Sequence, residues 1–258
     1  MRIERIGKAT LYLADYRDVE LQSDLDAVFA DPPYGKTACD WDSEPADMEE
    51  FWRKVTPAIK ENAAVVVFGM GTFFADVINS RRAWFRYDLV YEKSHAVGHL
   101  QVKSRPLRAH ELMAVFYRKQ PEYHPQKFQA TPYRHNGFKR CHSQLYRQQK
   151  QVPFSNSPDG LRYPRSVIRC AGTGGKSFHP TAKPVELMEW LTRTYTGEDQ
   201  TILDPFMGSG STGVAALKNG RRFIGVERKE KIFDEACRRI EAATNEVSLL
   251  YQEARHGA

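Results

Sequence analysis

The sequence predicts an α/β fold built around a largely parallel sheet, and three observations carry that expectation. Short β-rich runs alternate with helical patterns along most of the chain, the order expected of βαβ units. Several of the runs are apolar at consecutive positions, as strands covered by helices on both faces must be. A glycine-rich turn joins one such run to a helix near the C-terminal end, and turns of this kind bind ligands at the edge of open α/β sheets.

Taken in order, strands are predicted at Thr10–Asp15, Ala27–Asp31, Ala64–Gly69, Phe85–Lys93, Leu112–Arg118, Thr201–Asp204 and Arg222–Glu227. Each is a short β-rich run that ends in turn residues or a charge. Helices are predicted at Asp47–Glu61, Thr72–Arg81, Val185–Thr196, Ser211–Asn219 and Glu230–Ala243. Val185–Thr196 starts after Pro184 and stops before Gly197, and Ser211–Asn219 stops at Gly220, in keeping with start and stop preferences. Glu230–Ala243 places Ile232, Phe233, Ala236 and Ile240 on one stripe. Residues 120–178 break the pattern: they are rich in Pro, Gly, Gln, Arg and aromatic residues without a period, and a structureless loop of that length is unusual inside a compact domain. They read as an insertion between a first half, 1–119, and a second half, 179–258.

The charge is unevenly distributed. The 258 residues carry a net +6, but Lys93 to Lys176 holds sixteen Lys or Arg against three acids, a local +13, while the remainder sits at −7. A partition of this kind predicts a polyanionic partner, and nucleic acid fits it. No apolar run reaches membrane-spanning length. The N-terminal MRIERIGKATLYLAD has charges where a signal peptide has its apolar region, so a cytoplasmic protein without membrane association is expected. Cys39, Cys141, Cys170 and Cys237 form no C-x-x-C pair, and His124, His135 and Cys141-His142 match no zinc spacing, so no metal is expected.

Gly208, Gly210 and Gly213 form G-x-G-x-x-G between a strand and a helix, and Glu227 closes the following strand nineteen residues after Gly208. The pattern marks an adenosine cofactor with its ribose on the acid. An NAD-dependent oxidoreductase would account for it. Asp204, at the strand tip before the turn, favours S-adenosylmethionine, because a carboxylate there repels a pyrophosphate and attracts an ammonium and a sulfonium. Asp31-Pro32-Pro33-Tyr34 ends another apolar strand. Two prolines fix the backbone and remove its N–H donors, so the Asp31 carboxylate and the Pro32 carbonyl are offered as paired acceptors for an amino group. Tyr34 offers a flat face to a base.

These residues resemble the amino-methyltransferases of DNA. Asp31-Pro32-Pro33-Tyr34 looks like their catalytic motif and Asp204-Pro205-Phe206-Met207-Gly208-Ser209-Gly210 like their cofactor motif. His179-Pro180-Thr181-Ala182-Lys183-Pro184 is similar to their H-P-T-x-K-P segment, with Ala182 where Gln is common. The motif order, catalytic first and cofactor turn last, resembles the β group. The resemblance implies a circularly permuted, seven-stranded, mostly parallel Rossmann-like methyltransferase sheet with an inserted target-recognition region. It implies Asp15, His179, Thr181, Lys183, Asp204, Phe206, Gly208, Ser209, Gly210, Thr212 and Glu227 at the cofactor.

The reaction it implies is direct in-line methyl transfer to the N6 amino group of adenine in double-stranded DNA after base flipping. Asp rather than Ser before Pro-Pro-Tyr leans towards adenine, with cytosine-N4 as the alternative. RNA and protein glutamine are more remote acceptors. Lys103, Arg105, Arg108, Arg134, Lys139, Arg140 and Arg147 are the expected DNA contacts. Tyr123, Phe128, Tyr133, Phe138, Tyr146 and Phe154 recur among the bases of the insertion, where they could stack on nucleobases or build a small core of their own. A homodimer and a paired restriction endonuclease stay open as partners.

Overall fold

The computed structural model describes residues 1–35, 44–133, 157–170 and 182–249 in full, and the backbone alone at 138–139, 152–153 and 250–256. The chain divides into two compact units, one formed by 1–124 with 166–258 and the other by 125–165.

The larger unit runs β1 (Arg2–Ile6), β2 (Ala9–Leu13), β3 (Leu25–Ala30), α1 (Met48–Val55), β4 (Ile59–Gly69), α2 (Gly71–Ser80), β5 (Phe85–Val97) and β6 (Arg108–Phe116). The smaller unit contributes the two-residue strands β7 (Phe128–Gln129), β8 (Phe138–Lys139), β9 (Val152–Pro153) and β10 (Leu161–Arg162). The larger unit then resumes with β11 (Val167–Arg169), α3 (Val185–Tyr195), β12 (Thr201–Asp204), α4 (Ser211–Lys218), β13 (Arg222–Glu227) and α5 (Glu230–His256).

One nine-stranded sheet organises the larger unit, in the order β1-β2-β13-β12-β3-β4-β6-β5-β11. The pairs β2–β13, β13–β12, β12–β3, β3–β4 and β5–β11 are parallel, and β1–β2, β4–β6 and β6–β5 are antiparallel. All seven predicted strands are present and adjacent. The sheet exceeds the expected seven by its two edge strands, β1 and β11. β1 spells RIERI and half-buries one side only, with Ile3 itself exposed, which is enough for an edge but too charged to read as a core strand. β11 has three residues, below what alternation can signal.

Because β2, β13, β12, β3 and β4 are mutually parallel, their C-terminal ends share one edge of the sheet. Asp15, Glu227, Asp204 and Asp31 all stand at that edge, where open α/β sheets bind ligands. Side chains alternate across the sheet with period two. Val66, Phe68, Phe29 and Phe223 pack on one face with Leu187, Leu191, Val214, Phe233 and Ile240 of α3, α4 and α5. Val65, Val67, Val28 and Ile224 pack on the other with Phe51, Trp52, Phe73, Phe74 and Val77 of α1 and α2. Burial on both faces is why these strands read as unbroken apolar runs.

Helix lengths depart from expectation in two places. α1 stops at Val55 rather than continuing to Glu61, since Pro57 follows its C-cap Thr56 and cannot continue a helix, and β4 begins at Ile59. Its start is fixed by Asp47, whose carboxylate accepts the amides of Glu49 at 2.9 Å and Glu50 at 3.1 Å. α5 runs on past Ala243 to His256, in a stretch without Gly or Pro. No helix among the described residues is long and apolar enough to cross a membrane.

In the smaller unit, β7 pairs with β10 and β8 with β9, both antiparallel. The Arg162 guanidinium lies 4.2 Å from the Tyr133 ring centroid and the Lys127 ammonium 4.8 Å from that of Tyr163. Among its described residues no large apolar side chain is buried; Phe128, Leu161 and Tyr163 are exposed.

Candidate active site

The strand-end residues converge on one cavity of about 620 Å³, a size suited to a cofactor-scale ligand. Of the residues expected from sequence, Asp15, Asp31, Pro32, Pro33, Tyr34, Lys183, Asp204, Phe206, Gly208, Ser209, Thr212, Glu227 and Arg108 line it. Gly210, in the turn itself, is buried against Ala236 and Ile240, and Lys103 and Arg105 are exposed outside the cavity. His179, Thr181, Arg134, Arg140, Arg147 and the side chain of Lys139 lie outside the described residues, as do Phe138, Tyr146 and Phe154 as side chains.

Asp31 follows β3 directly. The Tyr34 hydroxyl donates to Oδ1 of Asp31 and the Lys183 ammonium to Oδ2. The Tyr34 ring packs on Phe73 with centroids 5.4 Å apart, and Pro33 O accepts the Ala46 amide at 3.0 Å. The tetrapeptide is thus clamped by its own tyrosine, by the 44–46 segment and by a lysine from far along the chain.

Lys183 also stands 3.2 Å from Oε2 of Glu111, whose Oε1 is 2.5 Å from the ammonium of Lys93. Charges therefore alternate along Asp31, Lys183, Glu111 and Lys93. Burial alone would lower the Lys183 pKa, but Asp31 and Glu111 override it and hold the ammonium above its ordinary value. Burial alone would raise Glu111, but Lys183 and Lys93 hold its carboxyl below the usual range. The resemblance places Lys183 at the cofactor, whereas the structure sets its charge on Asp31. Glu111 and Lys93 are site residues that the sequence did not single out; a carboxylate leading directly into the apolar run LMAVF was the available signal.

The glycine turn shows why three glycines are needed. Gly208 and Gly210 have φ of +53° and +80°, a region L side chains rarely adopt. A Cβ on Gly213 would sit 2.6 Å from Ile240 Cδ1 and 2.7 Å from Phe223 Cε1, so its absence lets α4 pack closely on β13 and α5. Asp204 Oδ1 accepts the Phe206 amide at 3.0 Å and Oδ2 the Thr212 hydroxyl at 2.5 Å. Glu227 accepts the Gly208 amide at 3.1 Å and the Lys229 amide at 2.7 Å. The Arg239 guanidinium reaches from α5 to Ser209, at 2.5 Å from its carbonyl and 2.7 Å from its hydroxyl. Asp15 is engaged by Arg17, at 2.7 and 2.8 Å, which holds its carboxyl below the usual range. Phe206 packs between Tyr16, 4.9 Å away, and Phe51, 6.4 Å away.

The donor set fits a cationic ligand carrying an adenosine. Burial pushes the Asp204 carboxyl up to about 7 and Glu227 above its usual range, against the hydrogen bonds each accepts. Buried carboxylates so placed favour a positive partner. An ammonium and a sulfonium meet that demand, and Glu227 at the end of β13 suits ribose hydroxyls. Phe206 offers an aromatic edge within the same cavity. A pyrophosphate would meet like charge at Asp204.

Comparison with known proteins agrees with this geometry. A family model described as DNA methylase, N6_N4_Mtase, matches residues 25–238. YubD of Escherichia coli (strain K12) is 37% identical over 110 residues, covering 43% of this chain and 43% of that protein. The chain matches less than half the length of the curated relatives it resembles. Among solved structures, the M1.HpyAVI–SAM complex superposes with a TM-score of 0.60 at 22% identity, covering 90% of this chain and 99% of that one. The cytosine-N4-specific PvuII DNA methyltransferase superposes with a TM-score of 0.65 at 14% identity, covering 94% and 93%. At these identities the likeness is one of fold.

Proposed function

Because the chain belongs to the DNA methylase family, we propose that it methylates the exocyclic amino group of a base in duplex DNA, adenine N6 in the first place, using S-adenosylmethionine. The observation that carries the proposal is the meeting of Asp31 with Asp204 and Glu227 in one cavity. S-adenosylmethionine, when bound, supplies the methyl group.

Asp204, Glu227, Phe206 and the turn at Gly208 would hold the cofactor. Asp31 would take hydrogen bonds from the target amino group and stabilise the positive charge that develops on its nitrogen. Each carboxylate oxygen has two acceptor sites, so Asp31 can accept from the base while Tyr34 and Lys183 keep their bonds. Those two donors set the plane of the carboxylate, and Glu111 anchors Lys183 from behind. The target base must leave the helix to reach the cavity. Arg108 at the cavity, with Lys103 and Arg105 nearby in sequence, supports phosphate contacts at its mouth. The smaller unit, with its cationic and aromatic side chains exposed, is the natural reader of the recognition site.

The test is incubation of the purified chain with methyl-labelled S-adenosylmethionine and unmethylated genomic DNA, followed by nucleoside mass spectrometry. Labelled N6-methyladenine is expected. Labelled N4-methylcytosine would keep the site chemistry and overturn the choice of base, and absence of label in DNA would overturn the proposal.

A further inference from the structure

The tip of the hairpin joining β5 to β6 combines features that the site so far leaves unused. Residues 94–110 contain Lys103, Arg105, Arg108 and three histidines but no acid. Within six residues of that tip stand Val97, 47% exposed, Leu100, 103% exposed, and Val102, 56% exposed. Large apolar side chains this exposed, close together in sequence and followed by cations, mark a surface that is covered in use. The tip is not a loose excursion. It is a turn of 3₁₀ helix at His99–Gln101, entered through Gly98 at φ +100°. Gln101 O accepts the Ser104 and Arg105 amides, each at 3.0 Å, and the Gln101 amide donates to Gly98 O at 2.9 Å. A Cβ on Gly98 would meet nothing within 4 Å, so the turn stands clear of the rest of its unit.

The stems tie this turn to the active site. Val97 pairs with Arg108 across the hairpin, and both line the cavity that holds Asp31. Further down the same strands, Lys93 and Glu111 form the charge chain behind Lys183. The hairpin therefore carries the apolar tip at one end and, at the other, Glu111, which reaches the acceptor of the target amino group through Lys183.

We propose that this tip is a duplex-DNA wedge: Leu100, supported by Val102, enters the base stack beside the target and occupies the gap the extruded base leaves, while Lys103, Arg105 and Arg108 hold the flanking phosphates. The inference rests on the proposed DNA-methyltransferase function. Extruding a base exposes apolar faces of its neighbours, and an inserted aliphatic side chain covers them. A hydrogen-bonded, uncharged tip followed by three cations has the chemistry for both halves of that task.

The test uses the full chain and a duplex carrying the site that the unaltered protein methylates in genomic DNA. Two versions are compared, one with the target base normally paired and one with it mispaired, where extrusion is already partly accomplished. Leu100→Ser, at a fully exposed position, leaves the fold intact. It should lower kcat/KM on the paired duplex by roughly tenfold or more, with most of the loss recovered on the mispaired duplex. S-adenosylmethionine affinity should stay unchanged. Lys103→Gln with Arg105→Gln should instead weaken binding of both duplexes alike and flatten its salt dependence. Equal rates for Leu100→Ser and the unaltered chain, or an equal loss on both duplexes, would overturn the wedge while the function stands. If the unaltered chain methylates no DNA, the functional proposal itself falls, and the wedge with it.

Discussion

The ammonium of Lys183 donates to Oδ2 of Asp31, and the two residues are otherwise 152 positions apart in the chain. One comes from the segment leading into α3 and the other from the end of β3. Their contact fixes a carboxylate whose second oxygen is already held by Tyr34. The side chain of Lys183 is only 11% exposed and that of Asp31 29%, so the ammonium is buried and the carboxylate keeps one side open to the cavity. Removing one partner of such a pair leaves the other charge uncompensated, which costs more than the pair contributes.

Lys183→Met should therefore lower kcat by roughly a hundredfold, while S-adenosylmethionine affinity changes little. Lys183→Arg, which keeps the charge, should recover part of the loss. Single-turnover kinetics and calorimetry separate the two quantities. A loss confined to cofactor affinity would place Lys183 at the cofactor, as the sequence resemblance has it, and remove it from the support of Asp31.

Glu111 acts one step further back, as a positioning residue for Lys183. Glu111→Gln should reduce kcat by about tenfold with KM nearly unchanged, and Glu111→Asp should restore part of it. A stability measurement gives an independent readout. The Glu111 carboxyl is held below its ordinary 4.5 by Lys183 and Lys93 against the opposing effect of burial. A depressed carboxyl contributes stability that is present above pH 4.5 and is lost as pH falls through its folded value. Denaturation of the unaltered chain should show this acid-side loss, and Glu111→Gln should lack that component. Unchanged turnover in Glu111→Gln would mean the chain of charges is not used.

The contrast between Asp31 and Glu111 shows what the sequence makes legible. Asp31, Asp204 and Glu227 each close an apolar run, so burial of the run and exposure of its end are both written locally. Their meeting at one edge follows from the strands being parallel. Glu111 stands in β6, which runs antiparallel between β4 and β5. Nothing local says that this face meets Lys183, because the contact depends on sheet order. β1 and β11 escaped notice for a related reason: an edge strand needs one partner and one buried side, which leaves little pattern in five or three residues. α5 was legible at its buried stripe and not beyond Ala243, where none of the described side chains, 244–249, is fully buried.

Asp204 yields a pH prediction of the opposite sign to Glu111. Burial raises its carboxyl from 3.8 to about 7, opposed by the Thr212 hydroxyl and the Phe206 amide and reinforced by Asp31 and Glu227. A carboxyl raised on folding contributes stability that is fully present below pH 3.8 and is lost as pH rises towards 7. Asp204→Asn lacks that dependence. The stability of the variant relative to the unaltered chain should therefore grow from pH 4 to pH 7 and level off above, by on the order of 4 kcal/mol in all. Saturating S-adenosylmethionine should close the gap at pH 8 by favouring the ionised carboxylate. A pH-independent gap in thermal melts would show that Asp204 does not titrate in this range.

The close packing behind the cofactor turn is testable by a double substitution. Gly213 lies in the first turn of α4, where a Cβ would approach Ile240 Cδ1 to 2.6 Å and Phe223 Cε1 to 2.7 Å. Ile240 and Phe223 are both essentially fully buried, so neither can swing into solvent to make room. Gly213→Ala should destabilise the chain by about 1–3 kcal/mol despite the better helix propensity of Ala. It should also weaken S-adenosylmethionine binding, since α4 would be pushed outwards and carry Thr212, the partner of Asp204, with it. Ile240→Val removes the nearest of the crowding atoms, Cδ1. By itself it should cost about 1 kcal/mol. Combined with Gly213→Ala it should restore part of both losses, giving a favourable coupling that a double-mutant cycle reads directly. Simple additivity of the two substitutions would show that the α4–α5 contact is not what demands a glycine at this position.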